Sequence, residues 1–246
     1  MSEHVTAGVS PAAGQRKTGI LVHGYNLNAE RWESVAWGET PDRLGRVPLG
    51  VFVALCEQAD VMVFGSGASR KNGMLESEAT ARLLRERFDE LVGFSVFEKH
   101  LPELKHPDSS GLYRKQIESV LRLDTESQNT REEIAHAGRV FLDRGVERII
   151  LVSSPTHLPR CLRDACTIFE ESRELSRLRH GLYAVPSVTG YVGYTAADVA
   201  IFEPPHRPDR SGSNISGVVA RIHDIPESGR ERFVRRLDDL LAEFKV

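Results

Sequence analysis

The chain has 246 residues, of which 40% are hydrophobic and 27% charged, with a formal net charge of −3. That composition is ordinary for a globular protein and suffices for one large α/β domain with a proper core. Scattered Lys and Arg argue against a nucleic-acid partner, and no apolar run approaches the roughly 20 residues of a membrane span. The three cysteines, Cys56, Cys161 and Cys166, leave one over in any disulfide scheme. All lie in helix-like, apolar contexts, so buried or half-buried reduced thiols and a cytoplasmic location are expected.

Residues 1–17 are small and polar, lack the apolar centre of a signal peptide, and read as a flexible tail. Thr18–His23 is the first strand, and Leu49–Gln58 has the apolar spacing of a helix. Val61–Phe64 is the second strand, closed by Gly65-Ser66-Gly67-Ala68, and Glu76–Leu91 is an amphipathic helix. Residues 93–115, with Pro102, Pro107 and Gly111, suggest an insertion or flexible flap. Val120–Leu123 is a third strand. The helix Asn129–Arg144 follows, stopping at Gly145, a fitting C-terminal cap. Glu147–Val152 is a fourth strand, Leu158–Phe169 a helix, and Leu182–Val185 a fifth strand. The Gly- and Pro-rich stretch 186–217 is a long, lid-like loop in which Tyr191, Tyr194 or Arg207 would touch ligand. An amphipathic helix spans Glu227–Phe244. Repeated strand–helix units imply a single Rossmann-like, doubly wound α/β domain over 18–246, about five mostly parallel strands with helices on both faces.

Ligands of open α/β sheets bind outside the carboxyl ends of the strands. Two polar motifs fall there, Glu126-Ser127-Gln128-Asn129-Thr130 after strand three and Ser153-Ser154-Pro155-Thr156-His157-Leu158-Pro159-Arg160 after strand four. Glu126 is the candidate general base and His157 its acid or anion partner. Arg160, three residues beyond His157 on the same helical face, suits bidentate binding of a phosphate or carboxylate. Ser127, Asn129, Thr130, Ser153 and Ser154 complete the ligand-binding set from these loops, although Asn129 and Thr130 are also natural helix caps. Gly65-Ser66-Gly67 reads either as a phosphate cradle or as a tight turn. Glu76 and Glu78, at the head of a helix, read alone as solvated carboxylates.

In order, these pieces resemble the YdcF/SanA/ElyC-like superfamily. They are Leu21-Val22-His23-Gly24, Gly65-Ser66-Gly67, Ser77-Glu78-Ala79, Glu126 to Thr130, and Val152 to Arg160, covering about residues 18–170. The resemblance implies a Rossmann-like domain with strand order 3-2-1-4-5 and Gly24, Asn26 and Glu78 at the ligand site. It also implies S-adenosylmethionine or a nucleotide as a candidate ligand. Several relatives carry a membrane anchor, and none is expected here. The sequence also departs at His23-Gly24-Tyr25-Asn26, where the family more often has glycines.

A rival reading takes His23-Gly24 as the oxyanion loop of an α/β-hydrolase, but no Gly-x-Ser-x-Gly elbow occurs. Neither a Walker A motif nor a Gly-x-Gly-x-x-Gly fingerprint after strand one is present. His206, Asp209, His223 and Asp224 are metal-ligand types at irregular spacing, and no metal is assigned. The expectation is a small-molecule enzyme acting on a nucleotide-like or phosphorylated metabolite by hydrolysis or group transfer. The competing expectation is a non-catalytic S-adenosylmethionine or nucleotide binder. The partner in either case is a small anionic ligand, with no nucleic acid and no membrane.

Overall fold

The computed structural model describes residues 16–188 and 225–243. Strands β1 (Thr18–Val22), β4 (Val61–Phe64), β7 (Leu121–Leu123), β8 (Arg148–Ser153) and β9 (Leu182–Pro186) form one sheet. Its order is β7-β4-β1-β8-β9, and every pairing is parallel. This is the expected Rossmann-like class, with the expected strand order.

Alternation along the strands explains why helices cover both faces. On one face Ile20, Val22, Met62, Phe64, Ile150 and Val152 pack under α2 (Arg46–Cys56) and α3 (Glu76–Arg87). On the other, Leu21, Val61, Val63, Ile149 and Leu151 meet α6 (Thr130–Arg144) and α7 (Leu158–Glu171). Strands covered on both sides read as unbroken apolar runs, which is what the sequence shows. Gly19 lets α6 come close, because a Cβ there would lie 2.7 Å from the Phe141 ring. Asn129 caps α6 by accepting from the Glu132 N–H at 3.0 Å, and Gly145 ends it at φ 67°.

Two short ribbons decorate the carboxyl edge. The first, β2 (Gly38–Glu39) with β3 (Arg43–Leu44), follows the five-residue α1 (Trp32–Ala36). The second joins β5 (Arg70–Lys71) to β6 (Met74–Leu75) through Asn72 and Gly73, at φ 51° and 81°. Both turn residues are left-handed, the geometry that makes Asn-Gly the preferred two-residue hairpin loop.

Residues 93–115 are not a flap. They form α4 (Ser95–His100), a 3-10 turn at Pro102–Lys105 and the start of α5 (Pro107–Val120). Phe94, Phe97, Leu104 and, farther along α5, Ile117 are buried in the same core as α2 and α3. The prolines start helical turns here, the position where a missing N–H costs nothing. The cysteines also differ from expectation: all three are free, but only Cys161 is buried, while Cys56 and Cys166 are exposed.

The chain divides into two compact units, residues 1–194 and 195–246. Of the second, helix α8 (Glu227–Glu243) is described, with Val234, Leu237 and Leu241 at helical spacing. No helix among the described residues is long and apolar enough to cross a membrane. The proposed tail and most of the proposed lid, including Tyr191, Tyr194 and Arg207, lie outside the described residues. So do His206, Asp209, His223 and Asp224.

Candidate functional site

The chain leaves β1 toward β4 on one side and later returns to β8 on the other, so β1 and β8 flank the switch point of the sheet. A cavity of about 450 Å³ opens there, within the size range of small-molecule sites. Its wall draws on the loops after β1 (Gly24, Tyr25, Asn26), β4 (Ser66, Ser69), β7 (Gln128, Asn129, Thr130) and β8 (Ser154, Thr156, His157). Helix starts supply Arg46, Glu76, Glu133 and Arg160.

Four of these groups are charged or titratable and buried, or nearly so. Glu133, in the first turn of α6, meets His23 Nδ1 at 2.5 Å and accepts from the Gly24 N–H at 2.9 Å. Burial works against a charged His23, but the Glu133 carboxylate and Cys161 outweigh it and raise its pKa to about 10. Arg46 opens α2. Its guanidinium donates to Ser154 Oγ at 2.9 Å, to the His23 carbonyl at 3.0 Å, and to the Gly24 carbonyl. Burial lowers its pKa, opposed by Cys161, Glu133 and Glu76. The Tyr25 ring lies 5.1 Å from the guanidinium, within cation–π range.

Glu76 is the first residue of α3 and is 3% exposed. The β5–β6 hairpin folds Ser69 back onto it, and the Glu76 N–H donates to the Ser69 carbonyl at 3.1 Å. The Ser69 hydroxyl donates to Glu76 Oε2 and accepts from the Leu27 N–H at 2.9 Å. The Ser66 hydroxyl lies 3.5 Å from the other oxygen, Oε1. Burial, with Glu133 adding to it, lifts the Glu76 pKa to about 7 against the hydroxyls and Arg46. Two glycines make room for the carboxylates. A Cβ at Gly24 would sit 1.8 Å from Glu76 Oε1, and one at Gly65 would sit 1.5 Å from Glu133 Oε1.

His157 lies beside His23, with ring centroids 5.8 Å apart. Its Nδ1 is hydrogen-bonded to Ser153 Oγ at 3.0 Å and its Nε2 to Thr130 Oγ1 at 3.3 Å. Burial first, then Arg46, His23 and Arg160, hold its pKa down to about 3. The imidazole is therefore neutral near pH 7, a hydrogen-bonding wall rather than a stored proton.

Sequence-predicted residues divide in a consistent way. Gly24, Asn26, Ser66, Asn129, Thr130, Ser154, His157 and Arg160 line the cavity together. Gly65, Gly67, Ser127 and Ser153 brace it from behind without lining it. The Gly65 N–H donates to the Val22 carbonyl, Gly67 N–H to Ser127 O, and Ala68 N–H to Ser66 Oγ. Those bonds engage three N–H groups of the segment within the protein, while Ser66 and Ala68 line the cavity.

Two carboxylates were misassigned. Glu126 is exposed and lines a separate pocket beside β7 with Asp124 and His136. Asp124 Oδ1 accepts from the Glu126 and Ser127 N–H groups at 3.1 Å each, which turns this loop and leaves the Glu126 side chain outside the cavity. No Glu126–His157 pair is assembled. Glu78 is exposed and accepts from the Leu75 N–H at 2.8 Å, closing the helix start instead of facing the site. The carboxylates that line the cavity are Glu133 and Glu76.

Arg46 and Glu133 carry no sequence signal of their own, and His23 enters the sequence reading only within the His23-Gly24 segment, as part of the resemblance and of a rival oxyanion loop. Among the described residues no group of three or more His, Cys, Asp or Glu is arranged to hold a metal ion. No protein-family model, no curated protein and no solved structure matches the chain.

Proposed function

We propose that the chain is a small-molecule enzyme acting on a nucleotide-like or phosphorylated metabolite by hydrolysis or group transfer, with Glu76 moving the proton. The observation that carries this reading is Glu76 itself. It is a carboxyl group buried in the cavity wall, in contact with two hydroxyls and forming no ion pair among the described residues. A carboxyl whose pKa stands near 7 can both accept and return a proton at neutral pH. Arg46 and Arg160 supply positive charge for the ligand's anionic group, and neutral His157 supplies a fixed polar wall. Resemblance to the YdcF/SanA/ElyC-like superfamily supports the same edge of the sheet as the ligand site.

The test is turnover of nucleotides and sugar phosphates by wild type and Glu76→Gln. Loss of a positioned proton donor or acceptor costs about 10²–10⁴ in rate, so kcat should fall by that much while KM moves little. Equal turnover by the variant removes Glu76 from the chemistry. A second reading, a non-catalytic binder of S-adenosylmethionine or a nucleotide, gains from the separation of Glu126 from His157, since the expected acid–base pair is not formed. Saturable binding without product decides for it.

A further inference from the structure

Arg46 and Glu76 carry opposite charges in the wall of one cavity, yet neither forms an ion pair among the described residues. Arg46 is held by neutral acceptors, two carbonyls and the Ser154 hydroxyl. Glu76 rests on the Ser66 and Ser69 hydroxyls. A hydroxyl both donates and accepts by turning its hydrogen. These two can therefore serve a carboxylate or a carboxylic acid without rearrangement of the site. Buried charges without a direct partner are costly, so a guest that brings negative charge to Arg46 relieves one cost and raises the other. A proton on Glu76 resolves the conflict.

We propose that the cavity binds a dianionic oxyanion, the phosphate- or sulfate-type group of its ligand, on Arg46 and takes up one proton at Glu76 as it does so. The inference rests on the reading that the cavity takes an anionic ligand, and it adds the charge class and the proton. Once Glu76 is protonated, the wall holds two cations, Arg46 and Arg160, and one carboxylate, Glu133, whose charge is already matched by the buried His23 behind it. That excess of two suits a dianion better than a single carboxylate. Arg160 also lies 3.7 Å from Asp164, but Asp164 is already paired with Arg163 at 2.9 Å.

Other groups that face Glu76 or the anion come from each neighbouring element. Glu133 projects from α6, His23 directly follows β1, Tyr25 lies against Arg46, and His157 precedes α7. His157 is the rival acceptor for the proton. Both its nitrogens are engaged by hydroxyls, and its pKa of about 3 places it far behind Glu76 at about 7.

Inorganic sulfate is the probe, because it takes no proton near neutrality and any uptake belongs to the protein. Calorimetry from pH 6 to 9, in buffers of different ionisation enthalpy, counts the protons. Wild type should take up close to one proton on the alkaline side, with affinity falling about tenfold per pH unit above the Glu76 midpoint. Glu76→Gln should bind sulfate with a flat pH profile and no proton uptake, while His157→Asn should keep the uptake. Circular dichroism of each variant verifies its fold. Sulfate binding by wild type without proton uptake, or uptake that persists in Glu76→Gln, overturns the proposal while leaving the anion site standing. Failure of both sulfate and inorganic phosphate to bind at any pH overturns the anion site as well. Competition by sulfate but not acetate against phosphate supports the dianion class, and equal competition by acetate refutes it.

Discussion

The protein holds two histidine–carboxylate contacts in different settings. At the end of β1, His23 and Glu133 are 0% and 4% exposed and 2.5 Å apart. Beside β7, His136 is 31% exposed and stands 3.3 Å from Asp124, which is 5% exposed. Asp124 also accepts two backbone N–H groups on the same oxygen, so His136 is an addition to a loop that is already tied. Among the described residues, the Glu133 carboxylate has only the Gly24 N–H besides His23. The difference teaches that residue type does not make an ion pair structural. What matters is whether each charge would be stranded without the other.

Breaking the buried pair should have the largest effect. Glu133→Ala leaves the buried His23 without its carboxylate partner, and removal of one partner from a buried pair typically costs about 3–5 kcal/mol. Urea denaturation measures it, and a loss below about 1 kcal/mol would show that the pair is dispensable.

The next effect is a pH dependence. His23 has a folded pKa of about 10 against an ordinary 6.5, so its stabilisation is complete below 6.5 and is lost as pH rises through 10. Glu76, at about 7 against an ordinary 4.5, keeps a proton in the folded state that the unfolded chain releases. Its contribution therefore also declines with rising pH, from 4.5 to 7, by roughly 3 kcal/mol at about 1.4 kcal/mol per pH unit. His157 acts oppositely: its folded pKa of about 3 against 6.5 costs stability as pH falls below 6.5. Stability measured against pH should thus lose its Glu76 segment in Glu76→Gln. An unchanged slope between pH 4.5 and 7 would contradict the burial of a titrating carboxyl.

Smallest of all should be His136→Ala. Solvent-screened pairs contribute about 0–1 kcal/mol, so the melting curve should scarcely move. A cost above about 2 kcal/mol would erase the contrast between the two contacts.

The sheet was legible because its central strands β1, β4 and β8 are apolar runs buried on both faces, and Val61–Phe64 needed no correction at either end. Asn129 and Gly145 marked the limits of α6 by their chemistry. Much of the site was legible too, since its loops follow strand ends. The carboxylates were not. Glu76 and Glu78 share one helical turn, and their difference arises only when the β5–β6 hairpin places Ser69 over Glu76. Asn72-Gly73, which makes that hairpin, is a strong local signal that was left unread. Glu133 follows Glu132 in an acidic helix start, where a solvated charge is the ordinary reading; it is buried because Gly24 and Gly65 leave space in the fold. Arg46 is buried by acceptors from two distant loops, which no local pattern announces. In 93–115, Pro and Gly obscured short helices whose anchors, Phe94 and Phe97, lie between them.

The central place of β1 has a consequence for how the chain comes together. It is the first of the described strands to be made, yet its partner on one side is β8, and the carboxylate that neutralises His23 lies 110 residues downstream. Contacts so distant in sequence return their free energy only after a long loop has closed, which slows folding. A nascent chain that has released β1, β4 and β7 but not β8 still presents an unpaired edge of β1. It also lacks Ser154, the hydroxyl that accepts from Arg46. Sheet closure and assembly of the cavity are therefore one late event in the life of the chain.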